Sequence, residues 1–145
     1  MRGIKMSDII LWIFLGINTL TDIKNHTIYI AVTFLFGALG TVIFACAEDG
    51  SLLSLVSGTV VGIGLMLLSV LSKGAVGFGD GLVVAVTGIW LGGWKTALVL
   101  MGGFLLAAFF GVAGICAGRV NRKSEIPFVP FFSLSYFIFY MGGML

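Results

Sequence analysis

The chain has 145 residues, 59% of them hydrophobic and 10% charged, with a net charge of +2. A water-soluble domain carries about a quarter charged residues, so the composition excludes a soluble globule and makes lipid the main solvent. The small net charge, with no dense basic patch among aromatics, excludes a nucleic-acid-binding surface.

The apolar runs are continuous and do not alternate at period two, which excludes a membrane β-barrel. A span needs about 20 apolar residues, and the length allows about six with short connections. The expected fold is therefore an all-α polytopic membrane protein, residues 1–145 forming a single transmembrane domain. The basic start, Met1 to Met6, leads into the first run. No small-x-small cleavage site follows, so that run is read as a retained helix and not a signal peptide.

In chain order, the first run is about Ser7 to Leu20, with Asp22 just past its end. The second is Ile28 to Ala47, closed by Glu48 and Asp49. The third is Leu52 to Leu71. The fourth, Leu82 to Gly93, is too short to span alone; begun at Ala75 it reaches a spanning length and then contains Asp80. The fifth is Lys95 to Cys116, and the sixth begins at Pro127 and runs to Leu145. Gly58-x-x-x-Gly62 and Gly114-x-x-x-Gly118 have helix-packing spacing, most simply used within the chain. Cys46 and Cys116 form no CxxC pair, which excludes a structural zinc site or redox dithiol; both are expected to be buried, inert thiols.

Six spans place Lys24, Lys73, Arg119, Arg122 and Lys123 on one side. Arg2, Lys5, Lys95, Glu48 and Asp49 fall on the other. The positive-inside rule then puts the first set in the cytoplasm and both termini outside.

Of six acidic residues, four have ordinary explanations. Asp8 suits the dipole at the start of a helix. Glu48 and Asp49 close a turn, and Glu125 sits beside Arg122 in a charged loop. Asp80 is different. It stands in Gly77-Phe78-Gly79-Asp80-Gly81, at the point where the fourth run must gain length to cross. A carboxylate at depth costs about 2.5–3.5 kcal/mol on insertion scales and marks function. Asp22 follows the first span and Asp80 opens the fourth, so both carboxylates lie at the same membrane face. Two carboxyl groups brought together cannot both ionise easily and share a proton. That state serves aspartic proteolysis: the ionised partner takes a proton from water while the neutral one polarises the scissile carbonyl. The chemistry needs no metal or cofactor. A rival reading makes the chain a small ion-coupled transporter or assembly subunit, with Asp80 carrying a proton or cation.

These residues resemble a family. Gly77-Phe78-Gly79-Asp80 matches the GxGD motif of membrane aspartic proteases, which include the prepilin peptidases, and Gly77 and Gly79 are its supporting glycines. Thr21-Asp22-Ile23-Lys24-Asn25-His26-Thr27-Ile28 resembles that family's first-aspartate segment. The stretch ending Gly88 to Trp94 resembles its fourth helix and turn, and Ile126-Pro127-Phe128-Val129-Pro130-Phe131 its IPFxPF segment. The order and spacing hold along nearly the whole chain. The resemblance implies catalytic roles for Asp22 and Asp80, and an active site at the cytoplasmic face of the inner membrane. It also implies a type IV prepilin-like or pseudopilin precursor as substrate, cut after a small residue between a basic leader and an apolar helix. Larger members add a CxxC-bearing segment and N-methylate the new terminus; this sequence shows no such segment, so methyltransferase activity is not expected. Two features depart from the family: Leu82 stands where a Lys is common, and Ile28-Tyr29-Ile30 where Ile-Pro-Asn is common. They bear on substrate range and helix starts.

Other residues have simpler readings. His26 is a loop histidine four residues after Asp22 that could tune it. Lys73 fits snorkelling toward lipid phosphate. Trp90 and Trp94 fit an interfacial belt. The phenylalanines of the last two spans are lipid-facing or core bulk.

Overall fold

A computed structural model describes residues 6–25, 27–46, 51–73, 77–118 and 127–145. Six helices lie among them: α1 (Met6–Asn25), α2 (Ile30–Cys46), α3 (Leu52–Leu71), α4 (Phe78–Leu91), α5 (Gly93–Cys116) and α6 (Val129–Met141). No strand occurs among the described residues. α1, α3 and α5 are each long and apolar enough to cross a membrane; α2, α4 and α6 are shorter apolar helices. The protein is an all-α integral membrane protein.

Helix ends follow local chemistry. α1 carries Asp8 in its first turn and Lys24 in its last, matching the helix dipole at both ends. It runs past Leu20, so Asp22 lies in its last turn and not in a loop beyond the span. The apolar run stops there but the helix does not. Asn18 Nδ2 donates to the Phe14 carbonyl at 2.9 Å and Thr21 Oγ1 to the Asn18 carbonyl at 3.0 Å. These bonds satisfy the polar side-chain donors against the helix's own carbonyls. α6 is shorter than the apolar run from Pro127 to Leu145. Pro130 lies in its first turn, where a missing N–H costs nothing, and Gly143, at φ 69°, lies in the turn that closes its C-terminus. Between α4 and α5 a single residue, Gly92 at φ 78°, makes the turn, a conformation open to glycine.

α4 is the central helix, packing on α1, α2, α3 and α5. Gly81, Val83, Val84, Val86, Thr87 and Gly88 are all buried. Its 14 residues reach about 21 Å at 1.5 Å each, short of a ~30 Å hydrocarbon core. The α3–α4 pair is the tightest. A methyl group on Gly58 would run into the Gly88 backbone, and one on Gly88 into Gly58. Gly62 meets Ala85 and Gly81 meets Met66 in the same way. The Gly58-x-x-x-Gly62 motif is thus spent inside the chain, bringing backbones together as small residues do in lipid. Gly118 instead sits in the turn after α5 at φ 66°, with open space where a side chain would stand.

Leu11, Phe14 and Leu15 of α1 join Val83, Val84, Val99, Val129, Phe132 and Tyr136 in the core. Large apolar side chains such as Ile13, Phe34, Leu67, Phe109 and Ile138 face outward, as lipid solvent permits. α1 and α6 are tied at several levels: Thr19 Oγ1 and Ser133 Oγ lie 2.7 Å apart, and Tyr140 Oη donates to Asp8 at 3.3 Å. Trp12 packs edge-on against Tyr136, Phe137 and Tyr140.

One expectation is corrected. Cys46 and Cys116 are exposed, because each is the last residue of its helix, and an apolar run in a membrane protein has an outward face as apolar as its inner one. Trp90, near the end of α4, packs against the core, its Nε1 set against Gly40 of α2, where no Cβ intervenes. Trp94 is exposed. Arg2, Lys5, His26, Glu48, Asp49, Arg119, Arg122, Lys123, Glu125 and Ile126 lie outside the described residues.

Candidate active site

The two aspartates singled out by the sequence come together at the ends of two helices. Asp22 is in the last turn of α1 and is buried; Asp80 is the third residue of α4 and half-buried. α1 packs on α4, and the two carboxyl groups lie within Coulombic reach of each other.

Each carboxylate is held by backbone. Asp22 Oδ2 accepts the N–H of Val129 at 3.0 Å. Val129 is the first residue of α6, so this N–H is one of the donors a helix leaves unsatisfied at its start. The positive end of the α6 dipole thereby faces Asp22. Pro130 follows and has no N–H to offer, which leaves Val129 as the donor at this point. Asp80 folds back over its own helix start and accepts a hydrogen bond from the Gly77 backbone. Its own N–H donates to the Gly77 carbonyl at 3.1 Å. This is a capping-box arrangement, with the third helical residue reaching back to the N-cap.

The motif glycines have visible reasons. Asp80 Oδ2 lies 2.7 Å from the place a Cβ on Gly77 would occupy, so a side chain there displaces the carboxylate. A Cβ on Gly79 would stand 2.8 Å from Ile28 Cδ1. Gly79 therefore lets the link between α1 and α2 cross the start of α4, close to where α1 delivers Asp22.

Val129 and Ile28 were not singled out as site residues from the sequence. Both lie in segments that resembled the family, but a backbone donor and a packing contact leave no side-chain signature. Lys73 is exposed, with φ 53°, just past α3. Among the described residues no three His, Cys, Asp or Glu side chains gather where they could hold a metal ion.

Two carboxyl groups within reach of each other, one buried and one half-buried, hold one proton more readily than two charges. The arrangement can thus present an acid and a base side by side, where α1 ends and α4 begins.

The sequence profile of the type IV leader peptidase family matches residues 9–112, a stretch that contains both aspartates and the GxGD motif. A prepilin leader peptidase/N-methyltransferase of Bacillus subtilis (strain 168) is 29% identical over 79 residues, covering 54% of this chain and 32% of that protein. The prepilin leader peptidase/N-methyltransferase of Aeromonas hydrophila is 31% identical over 71 residues, covering 49% of this chain and 24% of that protein. The chain thus matches a third or less of the length of these relatives. No solved structure matches it. With its family profile running through both aspartates and over most of its length, this membrane protein belongs to the type IV leader peptidase family.

Proposed function

We propose that the chain is an aspartic endopeptidase that removes the basic leader from type IV prepilin-like or pseudopilin precursors. Asp22 and Asp80 are the catalytic pair, with Gly77 and Gly79 supporting Asp80. The observation that carries the reading is the convergence of the two carboxyl groups at the ends of α1 and α4, each backed by a helix N-terminus. The names of its relatives support the substrate class.

In this reading one proton is shared by the pair. The ionised carboxylate removes a proton from the attacking water, and the protonated one donates to the carbonyl oxygen of the scissile peptide. A tetrahedral intermediate forms. The protons then return in the opposite sense, one reaching the leaving amine as the C–N bond breaks. The Val129 N–H holds Asp22 in place throughout, and the Gly77 backbone holds Asp80. The site faces the cytoplasmic side of the inner membrane, where the excess of basic residues was placed and where a precursor's basic leader resides. Residues 1–145 act as one transmembrane unit in the lipid bilayer.

The test is cleavage of a prepilin-type precursor in membranes by wild type, Asp22→Asn and Asp80→Asn at matched expression. Cleavage by wild type and by neither variant is expected. Cleavage by all three at equal rates would overturn the aspartic mechanism.

A further inference from the structure

Asn18 lies one turn before Asp22 on the inner face of α1 and is 1% exposed. Its Nδ2 donates to the Phe14 carbonyl oxygen at 2.9 Å. That bond fixes which arm of the amide carries the oxygen. The planar amide turns Oδ1 away from Phe14, and among the described residues Oδ1 accepts no hydrogen bond. A buried acceptor without a donor is rare in folded proteins and calls for a reason. A leucine here would pack without that penalty.

The surroundings suggest the reason. Residues four apart share a helix face, and helical side chains lean toward the N-terminus. Asp22 therefore leans over the turn that carries Asn18. One turn is about 5.4 Å, close to the span of a single bridging water. Across from α1, Asp80 shares an inner stripe of α4 with Val84 and Thr87, both fully buried. α2, whose titratable Cys46 lies exposed at its far end, touches α1 where Phe36 meets Phe14; the helices that pack on α1 most are α4 and α6. Their titratable groups are Asp80 on α4, and Tyr136 and Tyr140 on α6, where Tyr140 bonds Asp8 at the other end of α1. On α1 itself the charged groups are Asp8, Asp22 and the exposed Lys24. Of these, Asp22 stands one turn from Asn18, and Asp80 lies within Coulombic reach of Asp22.

An amide oxygen accepts a hydrogen bond and does not titrate. It matches a protonated carboxyl, which has an O–H to give, and not a carboxylate. We propose that Asn18 is a positioning residue for the aspartate pair: its Oδ1 accepts from the protonated carboxyl, directly or through one water, and stabilises the one-proton state. The inference rests on the aspartic reading above and adds to it a third polar group, one helical turn deeper.

Asn18→Thr and Asn18→Val test it, because the two side chains share a shape. Threonine bonds back to the carbonyl four residues earlier, as Thr33, Thr59 and Thr87 do in this chain, and keeps a lone pair to accept with. Valine does neither. Precursor cleavage in detergent, across pH, is compared with wild type. The threonine variant is expected within about threefold of wild-type kcat, and the valine variant about tenfold or more below it, with KM changed less than about twofold. Losing an acceptor for the O–H makes the pair give up its proton more easily, so the alkaline limb of the valine profile moves to lower pH. Asn18→Leu repeats the comparison without a β-branch. Equal kcat and equal limbs for threonine and valine would overturn the proposal. So would failure of both apolar variants to insert, since a structural role would then account for Asn18. Asp80→Asn is assayed alongside: if it cleaves like wild type, the aspartic mechanism itself has failed, whatever Asn18 does.

Discussion

Asp22 and Val129 are joined by a hydrogen bond of 3.0 Å between a side chain at the end of α1 and a backbone N–H 107 residues later, at the start of α6. One carboxylate therefore has two tasks, chemistry and the closure of the bundle. The tasks can be separated. Asparagine keeps an oxygen for the Val129 N–H but cannot act as an acid–base group. Leucine keeps neither. Asp22→Asn is expected to melt in detergent within a few degrees of wild type while losing cleavage. Asp22→Leu is expected to lose in addition roughly 1–3 kcal/mol, the cost of a buried N–H left without an acceptor. Equal melting of the two variants would show that the bond adds nothing to stability.

The glycine at 77 is required by the carboxylate and not by the backbone. Its φ and ψ are −64° and 129°, an extended conformation open to any residue. What a methyl group would meet is Asp80 Oδ2, at 2.7 Å. That oxygen is the mobile end of a side chain, so the fold can yield and the carboxylate shifts. Gly77→Ala is expected to leave melting unchanged and to lower kcat about tenfold or more, since small displacements of a reacting group are costly. Gly79→Ala strikes Ile28 Cδ1 at 2.8 Å instead. Removing that atom with Ile28→Val is expected to restore part of the activity lost in Gly79→Ala, measured as a double-mutant cycle. Independent effects of the two substitutions would show that Gly79 and Ile28 are not coupled.

Much of this arrangement was legible in the sequence, and the reasons it was not complete are physical. The continuous apolar runs gave six helices, because lipid asks for length more than periodicity. Their ends were less legible. α1 outlasts its apolar run, with Asn18 and Thr21 bonding their polar side chains back to its own carbonyls, so Asp22 lies on a helix and not in a loop. The two cysteines were misjudged for a simple cause: in a chain apolar on every face, hydrophobicity does not say which way a side chain points. The aspartates stood out because ionised groups are rare in such a chain. Val129 did not, because its contribution is a backbone N–H that every residue except proline carries.

The α3–α4 contact separates glycines that matter from glycines that do not. At Gly58 and Gly88 the backbones of the two helices touch, so any side chain must part them. Gly64, on the same α3, has open space where its Cβ would stand. Gly88→Ala is expected to lower the yield of inserted protein and the melting midpoint, and to remove cleavage with them, because α4 carries Asp80. Gly64→Ala is expected to be neutral or stabilising by up to about 1 kcal/mol, the helix-propensity difference between the two residues. Thermal unfolding in detergent checks both, and a Gly88→Ala protein as stable as Gly64→Ala would remove the close packing as a source of stability.

Cys46 and Cys116 give a direct reading of how many helices cross. Both are exposed, at the ends of α2 and α5. Between them the chain passes through α3, α4 and α5. If each crosses, the two thiols lie on opposite membrane faces, whichever way the whole protein is oriented. α4 is the doubtful member by length alone, at 14 residues, yet its burial at the centre of the bundle leaves no lipid-facing gap for it to fill by itself. A membrane-impermeant maleimide applied to sealed vesicles is therefore expected to label one cysteine and not the other, with the pattern reversed in inverted vesicles. Cys116 is expected to react from the cytoplasmic side, the side proposed for Asp22 and Asp80. Labelling of both thiols from one side would mean that α4 does not cross, and would place the end of α4 on the same face as the aspartate pair at its start.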